Sequence, residues 1–101
     1  MTSEPGLEWD ADKDRANRGK HGISFEEVLS IFDGPFLTRI DDRRDYGEIR
    51  RITTGMLSPD IVLVVAHTNR DGKIRLISAR KANRRERQAF YDHLAKASEG
   101  N

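Results

Sequence analysis

The spacing of apolar residues changes along the chain from a helical period to a strand-like one and back. Between residues 25 and 32, apolar residues recur at the three- and four-residue spacing of a helix. The segment from Ile61 to Thr68 is almost continuously apolar and β-branched, which is typical of a strand buried on both faces. The helical period then returns at Phe90, Leu94 and Ala97.

Capping residues sharpen the boundaries of two predicted N-terminal helices. Asp10 can cap the first helix, and Gly22 can end it in the left-handed conformation. Ser24 and Glu27 form the S-x-x-E capping box of a second helix. The turn after His21 is therefore expected to be short and well defined.

Four strand-like segments follow the second helix, and a third capped helix begins near Asn83. Asn69 to Gly72 has the chemistry of a type I turn and predicts a hairpin. We therefore predict an α+β fold with two N-terminal helices, an antiparallel meander sheet and a C-terminal helix. The predicted domain spans residues 7–97, with flexible ends at 1–6 and 98–101.

Length and composition exclude several classes of protein. A chain of 101 residues is expected to form one domain, and without cysteine it has no disulfide or thiolate chemistry. It contains no apolar run of about 18 residues and no secretory signal pattern. We therefore expect a cytoplasmic protein without a membrane span.

The net charge of +1 conceals an uneven distribution. Between Arg70 and Arg87 there are eight basic and two acidic residues, so this segment carries +6 while the rest of the chain carries −5. Such asymmetry indicates a local anion-binding surface. The alternative is a solvated helix face with salt bridges.

The chain lacks the motifs of metal, nucleotide and serine-hydrolase sites: HExxH, CxxC, a Gly-rich phosphate loop and the G-x-S-x-G elbow are all absent. The three histidines fall on different predicted elements, so we expect neither a metal nor a cofactor. Lys, His, Arg, Glu and Tyr remain. These side chains suit RNA cleavage without metal, in which a base activates the 2′-hydroxyl, an acid protonates the leaving oxygen and cations stabilise the phosphorane.

Five segments occur in an order and spacing that resemble the BrnT family, the toxins of type II toxin–antitoxin systems: LEWD, NRGKHGISFEEVLSIF, DYGEIR, IRLISARKA and RRERQAFY. The resemblance covers residues 7–91. It implies a fold similar to the RelE-like toxins and a ribonuclease that arrests translation. It also implies a BrnA-like antitoxin with a ribbon-helix-helix part, through which alone operator DNA would be bound.

Family residues fall on positions that we interpret as catalytic, and charge and helix spacing add others that we interpret as RNA-binding. The predicted catalytic residues are Lys20, His21, Glu48, Arg50, Arg80 and Tyr91. The predicted RNA-binding residues are Arg75, Lys81, Arg84 and Arg87. We expect His21 or Glu48 to act as base, the lysine and Arg50 and Arg80 to hold phosphate, and Tyr91 to act as acid or stacking group.

Each of these residues also has a structural interpretation. Lys20 and His21 can simply balance the helix dipole. Glu48 and Arg50, at strand spacing on one face, can belong to a cross-strand ion pair. Arg80 can form a rim salt bridge, and Tyr91 can seal the edge of the core.

Three further expectations come from strand spacing. His67 follows an apolar strand face and is expected to be a hydrogen-bonded core residue, with catalysis as the alternative, and Trp9 is expected in the core. Arg75 and Arg80 differ in parity, so they share a face only if a bulge or the strand end intervenes.

Two other functions compete with the ribonuclease. One is a non-catalytic RNA- or DNA-binding module that uses the basic segment from Arg70 to Arg87. The other is a protein-binding module whose basic segment meets an acidic partner.

Overall fold

A computed structural model describes residues 2–4 and 6–99, with side chains from residue 6 to residue 97. This part of the chain forms six strands, three α-helices and one 3-10 segment. In chain order they are β1 (Thr2–Glu4), β2 (Leu7–Trp9), α1 (Ala11–His21), α2 (Phe25–Val28), the 3-10 segment (Leu29–Asp33), β3 (Phe36–Ile40), β4 (Arg50–Ser58), β5 (Ile61–Arg70), β6 (Lys73–Lys81) and α3 (Arg84–Glu99).

The predicted flexible ends, 1–6 and 98–101, include residues 1, 5, 100 and 101, which lie outside the described residues. Of the rest, Thr2–Glu4 is strand β1, and α3 continues to Glu99. The flexibility of the ends and the domain limits of 7–97 stay predictions. In the described part of the chain, no helix combines the length and the apolar character needed to cross a bilayer.

The strands form one mixed sheet in the order β1-β2-β6-β5-β4-β3. Strands β3 to β6 pair antiparallel with their neighbours in sequence, which confirms the predicted meander. The N-terminal hairpin extends the meander, because β2 pairs in parallel with the start of β6. Together with the three helices, this sheet confirms the α+β fold.

The helix boundaries follow the predicted caps. Asp10 accepts a hydrogen bond from the Asp12 amide, and Gly22 adopts a left-handed conformation at φ 72°. Ser24 Oγ accepts from the Glu27 amide at 3.2 Å. The second helix is shorter than its apolar spacing suggested, because the chain tightens into a 3-10 turn after Val28.

One face of the sheet, which we call the core face, packs against α2 and the 3-10 segment. Its sheet residues include Leu63, Val65, Leu76 and Ala79, all at most 1% exposed. They form one cluster with the buried residues of the N-terminal half: Leu7, Trp9, Ile23, Phe25, Val28 and Ile31. The largest cluster of the core therefore lies on this side of the sheet, and Trp9 is part of it as expected. Ile52, Val62, Val64 and Phe90 are also buried but lie outside this cluster.

A buried amide attaches α1 to the sheet, although the helix has few apolar residues. Asn17 Nδ2 donates to the carbonyl oxygens of Ile23 and Ala79, at 2.9 and 2.8 Å. Asn17 Oδ1 accepts from the Ala79 amide at 3.0 Å. Because β2 pairs only with the start of β6, these bonds satisfy backbone groups of β6 further along its edge.

The β5–β6 hairpin differs from its prediction at the turn. Its tip is the two-residue loop of Asp71 and Gly72, both with positive φ, at 50° and 79°. This is the conformation of a type I′ turn, whose twist matches that of the strands, and not the predicted type I turn. Within β6, Ile77 is an unpaired bulge, because Ala66 pairs with Ser78 while His67 pairs with Leu76.

Candidate anion-binding site on the open face of the sheet

The bulge at Ile77 brings the two arginines of β6 to the same side of the sheet. Arg75 pairs with Thr68 and Arg80 pairs with Val64, two β5 residues that share a face. That face lies opposite Leu63 and Val65. The condition set by the sequence, that a bulge must intervene, is met by the structure.

Register places two more arginines on this side. Arg50 pairs across the sheet with Thr68. Arg39 pairs with Ile52, which pairs in turn with Ala66. Ala66 and Thr68 lie on the same face of β5 as Val64. We call this side, which carries Arg39, Arg50, Arg75 and Arg80, the arginine face. Helix α3 covers one end of it, where the fully buried Phe90 lies beside Val64.

Arg50 is a half-buried cation of the arginine face. Its guanidinium carbon lies 3.8 Å from the centroid of the Tyr46 ring. Its Nε is buried without a hydrogen-bond partner, and within residues 6–97 it forms no ion pair. A buried donor without a partner is costly, and no carboxylate of residues 6–97 pairs with this guanidinium to offset its charge.

The loop between β3 and β4 holds Tyr46 against Arg50. Its anchor is Asp41, whose side chain is fully buried and accepts from Arg43 Nε and Nη2, both at 2.8 Å. Asp41 also accepts from the Tyr46 hydroxyl at 2.9 Å. The hydrogen bonds from Arg43 hold the pKa of Asp41 well below its usual range. Asp41 is therefore a charged anchor for the aromatic ring on which Arg50 lies.

Arg80 is held by a carboxylate at the start of α3. Its Nη1 and Nη2 donate to the two oxygens of Glu86, at 2.7 and 2.8 Å. The hydrogen bonds from Arg80 lower the pKa of Glu86 to about 2. The hydrogen bonds to Glu86 raise the pKa of Arg80, and the positive charge of Arg43 lowers it. Arg43 is therefore a second guanidinium near this pair.

Glu86 also forms a complete capping box with Asn83. Asn83 Oδ1 accepts from the Glu86 amide, and Glu86 Oε1 accepts from the Asn83 amide, at 2.8 and 2.9 Å. The same carboxylate thus fixes both the start of α3 and the guanidinium of Arg80. The rim salt bridge considered from the sequence is present, and it gives Arg80 a defined orientation at the edge of the arginine face.

Glu48 does not lie beside Arg50 at strand spacing, because β4 begins only at Arg50 and Glu48 occupies a bend before it. Its carboxylate pairs with Arg70 at 3.4 Å. Arg75 forms an ion pair with Glu8 of β2, with 3.6 Å between Nη1 and Oε1, and its side chain is largely buried. The proposed base is therefore at the border of the arginine face, and Arg75 is engaged with the N-terminal hairpin.

Lys20 and His21 occupy the last turn of α1, as predicted. They line a shallow depression that also includes Ile77 and Ser78 of β6. No hydrogen bond or ion pair connects either side chain to Glu48, Arg50, or Arg80 in the described part of the chain. These two groups thus lie at the edge of β6 beside Ser78, which the register places on the same face as Arg80.

The remaining predicted RNA-binding residues are exposed: Lys81, Arg84 and Arg87. Tyr91 is partly buried, packs its ring against Phe90, and donates its hydroxyl to the Pro59 carbonyl at 2.6 Å. The structure therefore gives Tyr91 a bond to the β4–β5 turn and leaves its predicted catalytic role untested.

His67 belongs to the core face. Its Nε2 and Thr53 Oγ1 are 2.6 Å apart, and the Phe32 ring contacts the imidazole edge to face. Burial lowers the pKa of His67 to about 4, with a further contribution from the charge of Arg51. This environment confirms the core interpretation of His67. Within residues 6–97, no group of three or more His, Asp or Glu side chains could hold a metal ion.

Sequence reasoning missed the residues that organise the arginine face: Arg39, Asp41, Arg43 and Tyr46. The segment that contains most of them, DDRRDYGE, has the composition of an ordinary polar loop. Alternation in FLTRI could have placed Arg39 on the same strand face as Leu37. The burial of Asp41 has no signal of its own, because its partners come from the loop that it anchors.

The fold and the arrangement of arginines define a small α+β protein with one cationic sheet face. A model of the family described as "Ribonuclease toxin, BrnT, of type II toxin-antitoxin system" matches residues 9–86. The chain therefore belongs to the BrnT family of ribonuclease toxins, whose type II systems pair a toxin with an antitoxin.

A solved structure supports the same fold. The crystal structure of the Brucella abortus ribonuclease toxin BrnT, at 1.1 Å resolution, aligns with a TM-score of 0.60 and 21% identity. The alignment covers 77% of this chain and 96% of that one. The comparison with curated proteins finds no match.

Proposed function

We propose that this protein is a metal-independent ribonuclease toxin that cleaves RNA on the arginine face and so arrests translation in the bacterial cytoplasm. The observation that carries this proposal is Arg50, a guanidinium stacked on Tyr46 that forms no ion pair with any carboxylate of residues 6–97. Guanidinium groups suit phosphate because their donors match its oxygens. Membership of the BrnT family makes RNA the expected substrate.

In the proposed reaction, a base removes the proton of a ribose 2′-hydroxyl, and the 2′-oxygen attacks the adjacent phosphorus. The bond from phosphorus to the 5′-oxygen breaks, and an acid protonates that oxygen. The products are a 2′,3′-cyclic phosphate and a free 5′-hydroxyl. Arg50 and Arg80 neutralise the charge that develops on the phosphorane, where preorganised donors have their greatest effect.

The proton-transfer roles follow from position. Glu48 lies two residues before Arg50 and is partly exposed, so it is the proposed base once substrate displaces its weak contact with Arg70. His21 is the second candidate, with Lys20 as an additional phosphate contact at the edge of β6. Tyr91 keeps its proposed role as acid or stacking group only if its bond to Pro59 opens.

The proposed physiological partner is a BrnA-like antitoxin with a ribbon-helix-helix part. It would neutralise the toxin by covering the arginine face, and operator DNA would be bound only through it. We expect the exposed residues Lys81, Arg84 and Arg87 to add salt-dependent attraction to RNA.

The test is incubation of the purified protein with cellular RNA in excess EDTA, followed by analysis of fragment ends. We expect ends with 2′,3′-cyclic phosphate, and we expect Arg80→Ala to reduce their formation. The matched control is Arg18→Ala, which removes an exposed arginine of α1 that pairs with Asp14. Fragments that form only when a divalent cation is supplied would contradict the metal-free mechanism.

A second function is favoured by the pairing of Arg80 with Glu86, because both terminal nitrogens of this guanidinium are already bound to a carboxylate. In that case the protein is a non-catalytic nucleic-acid-binding module. It would bind RNA with an affinity that falls steeply with salt and would leave the RNA intact. Intact RNA, including ribosome-bound message, together with such binding would favour this module over the ribonuclease.

A further inference from the structure

A groove on the arginine face lies between α3 and the strands β3 and β4. It consists of two overlapping depressions of about 290 and 300 Å³. Both are lined by Leu37, Arg39, Thr54 and His93. Such volumes lie at the lower limit of small-molecule sites, which suits one planar ring better than an extended ligand.

The floor of the groove is apolar. Leu37, Ile52, Val64 and Phe90 line it, and the last three are at most 7% exposed. This floor differs from the rest of the arginine face, where guanidinium groups dominate. An apolar floor beside cationic groups suits a ligand that is flat at one end and anionic at the other.

Three polar groups at the margin of the groove form no hydrogen bond within residues 6–97: the Thr54 hydroxyl, the His93 imidazole and the Arg39 guanidinium. Arg39 is close enough to Glu86 for its charge to lower the pKa of that carboxyl. The Thr54 hydroxyl can donate and accept, the neutral His93 imidazole has one donor and one acceptor nitrogen, and the planar Arg39 guanidinium only donates. Glu86, by contrast, uses its oxygens on Arg80 and Asn83. The three groups without a hydrogen bond are therefore the ones that can form hydrogen bonds with the edge of a planar ligand.

The groove is continuous with the proposed phosphate contacts. Thr54 and Arg80 lie in one row of the sheet, each paired with Val64 on the strand between them. Two strand spacings separate their Cα atoms by about 10 Å. The Arg80 guanidinium is closer to the groove than its Cα atom, because it is bound to Glu86, which lines the groove.

We propose that this groove binds one unpaired nucleobase of the RNA substrate, with the Thr54 hydroxyl and the His93 imidazole on its edge and Arg39 at its mouth. The proposal rests on the ribonuclease function above and adds a specificity site to it. Proteins that recognise single-stranded RNA commonly splay out a base and bind its edge with hydrogen bonds while its faces stack. The groove therefore sets which base stands next to the cleaved phosphate.

The test is sequencing of cut ends from total RNA for the wild type, Thr54→Val and His93→Ala. Thr54→Val removes the hydroxyl but keeps the shape of the side chain. We expect the preference for one base beside the cut to fall about fivefold, the effect of one neutral hydrogen bond, while overall cleavage persists. Lys96→Ala, an exposed change on the same helix, is the control and should leave the profile unchanged.

An unchanged base preference in both groove variants, with cleavage intact, would overturn the inference but not the ribonuclease function. Weakened antitoxin binding with an unchanged profile would also overturn it and would make the groove a protein-docking site. If the wild type cleaves no RNA, the groove is tested by titration with the four nucleoside 3′-monophosphates, monitored by amide NMR. One nucleotide that shifts Thr54 and His93 at the lowest concentration supports the site, and equal or absent shifts overturn it.

Discussion

The two faces of the sheet are built in opposite ways. On the core face, apolar residues from β2, α2, the 3-10 segment and the sheet form one cluster, and even the buried amide of Asn17 has its hydrogen bonds made. On the arginine face, α3 inserts a single fully buried residue, Phe90, and four arginines lie on one side of the sheet. Each face also holds one buried nitrogen without a hydrogen-bond partner among residues 6–97, Nδ1 of His67 on the core face and Nε of Arg50 on the arginine face. The faces therefore differ in the side chains that they concentrate, since one collects apolar groups and the other collects cations.

This division has an energetic reason. Buried polar groups normally have partners, because an unmade hydrogen bond costs about 1–3 kcal/mol. A small domain has little stability to spare, so it can carry such groups only if another region compensates. The continuous core face provides that support, and the arginine face can therefore hold charges close together.

The largest expected effect on stability comes from the core face. Phe25 is completely buried and contacts Trp9 edge to face. We expect Phe25→Ala to lower the free energy of unfolding by about 3–5 kcal/mol. The comparison variant, Leu94→Ala on the partly buried side of α3, should cost only about 1 kcal/mol, because little apolar area is removed from water there. Urea unfolding measures both, and equal losses would contradict the contrast between the faces.

The next effect is a pH dependence that belongs to the core face. His67 has a pKa of about 4 in the folded protein against 6.5 for an unperturbed imidazole. The unfolded chain therefore binds more protons between these values, and stability falls as the pH drops from 6.5 towards 4. At about 1.4 kcal/mol per pKa unit, the loss should approach about 3 kcal/mol.

The variant His67→Gln removes this titration and should flatten the stability profile between pH 6.5 and 4. Glu86, whose pKa is lowered to about 2, keeps its contribution down to pH 4.5 and loses it as the pH falls from 4.5 towards 2, so the two groups overlap only at the lower end of the window. Unfolding measured at several pH values separates the two groups. A profile of His67→Gln that parallels the wild type would show that His67 is not the group responsible.

The smallest effect concerns two glycines. Gly55 lies under the 3-10 segment, where an added Cβ would come within 2.9 Å of Ile31 Cβ. Gly55→Ala should therefore cost about 1–3 kcal/mol through overpacking. Gly19 lies in α1 with open space around it, so Gly19→Ala should stabilise the protein by about 0.5–1 kcal/mol. Thermal unfolding distinguishes these opposite signs, and a harmless Gly55→Ala would mean that the contact with Ile31 is loose.

Local signals predicted the elements of the fold well. The caps at Asp10, Gly22 and Ser24 lie where the sequence pattern indicated, because a cap depends on neighbouring backbone groups. The sequence pattern also predicted strand β5 and the hairpin that joins it to β6. Strand β2 was not predicted as a strand, since its parallel partner lies more than sixty residues away and leaves no local pattern.

The candidate site was predictable only in part. Arg50 and Arg80 were predicted from the sequence to hold phosphate, which stays a prediction, and the register places both on one face of the sheet. The bulge that aligns Arg75 with Arg80 could be stated only as a condition. The strand register of Glu48 was wrong because the preceding loop runs one residue past it. Asp41 was missed, because its burial depends on how the loop folds back on itself.

Two neighbouring residues of β4 test most directly whether the arginine face is a ribonuclease site. Arg50 lies on the arginine face, whereas Arg51 pairs with His67 and faces the other side. Rates of RNA cleavage in EDTA should be measured for Arg50→Ala and Arg51→Ala, with unfolding curves to show that both are folded.

We expect Arg50→Ala to reduce cleavage by about 100-fold or more, as for loss of a donor to the transition state. Arg51→Ala should stay within about twofold of the wild type, as for most surface changes. Equal rates for the two variants, whether both retained or both lost, would contradict the assignment of the chemistry to the arginine face.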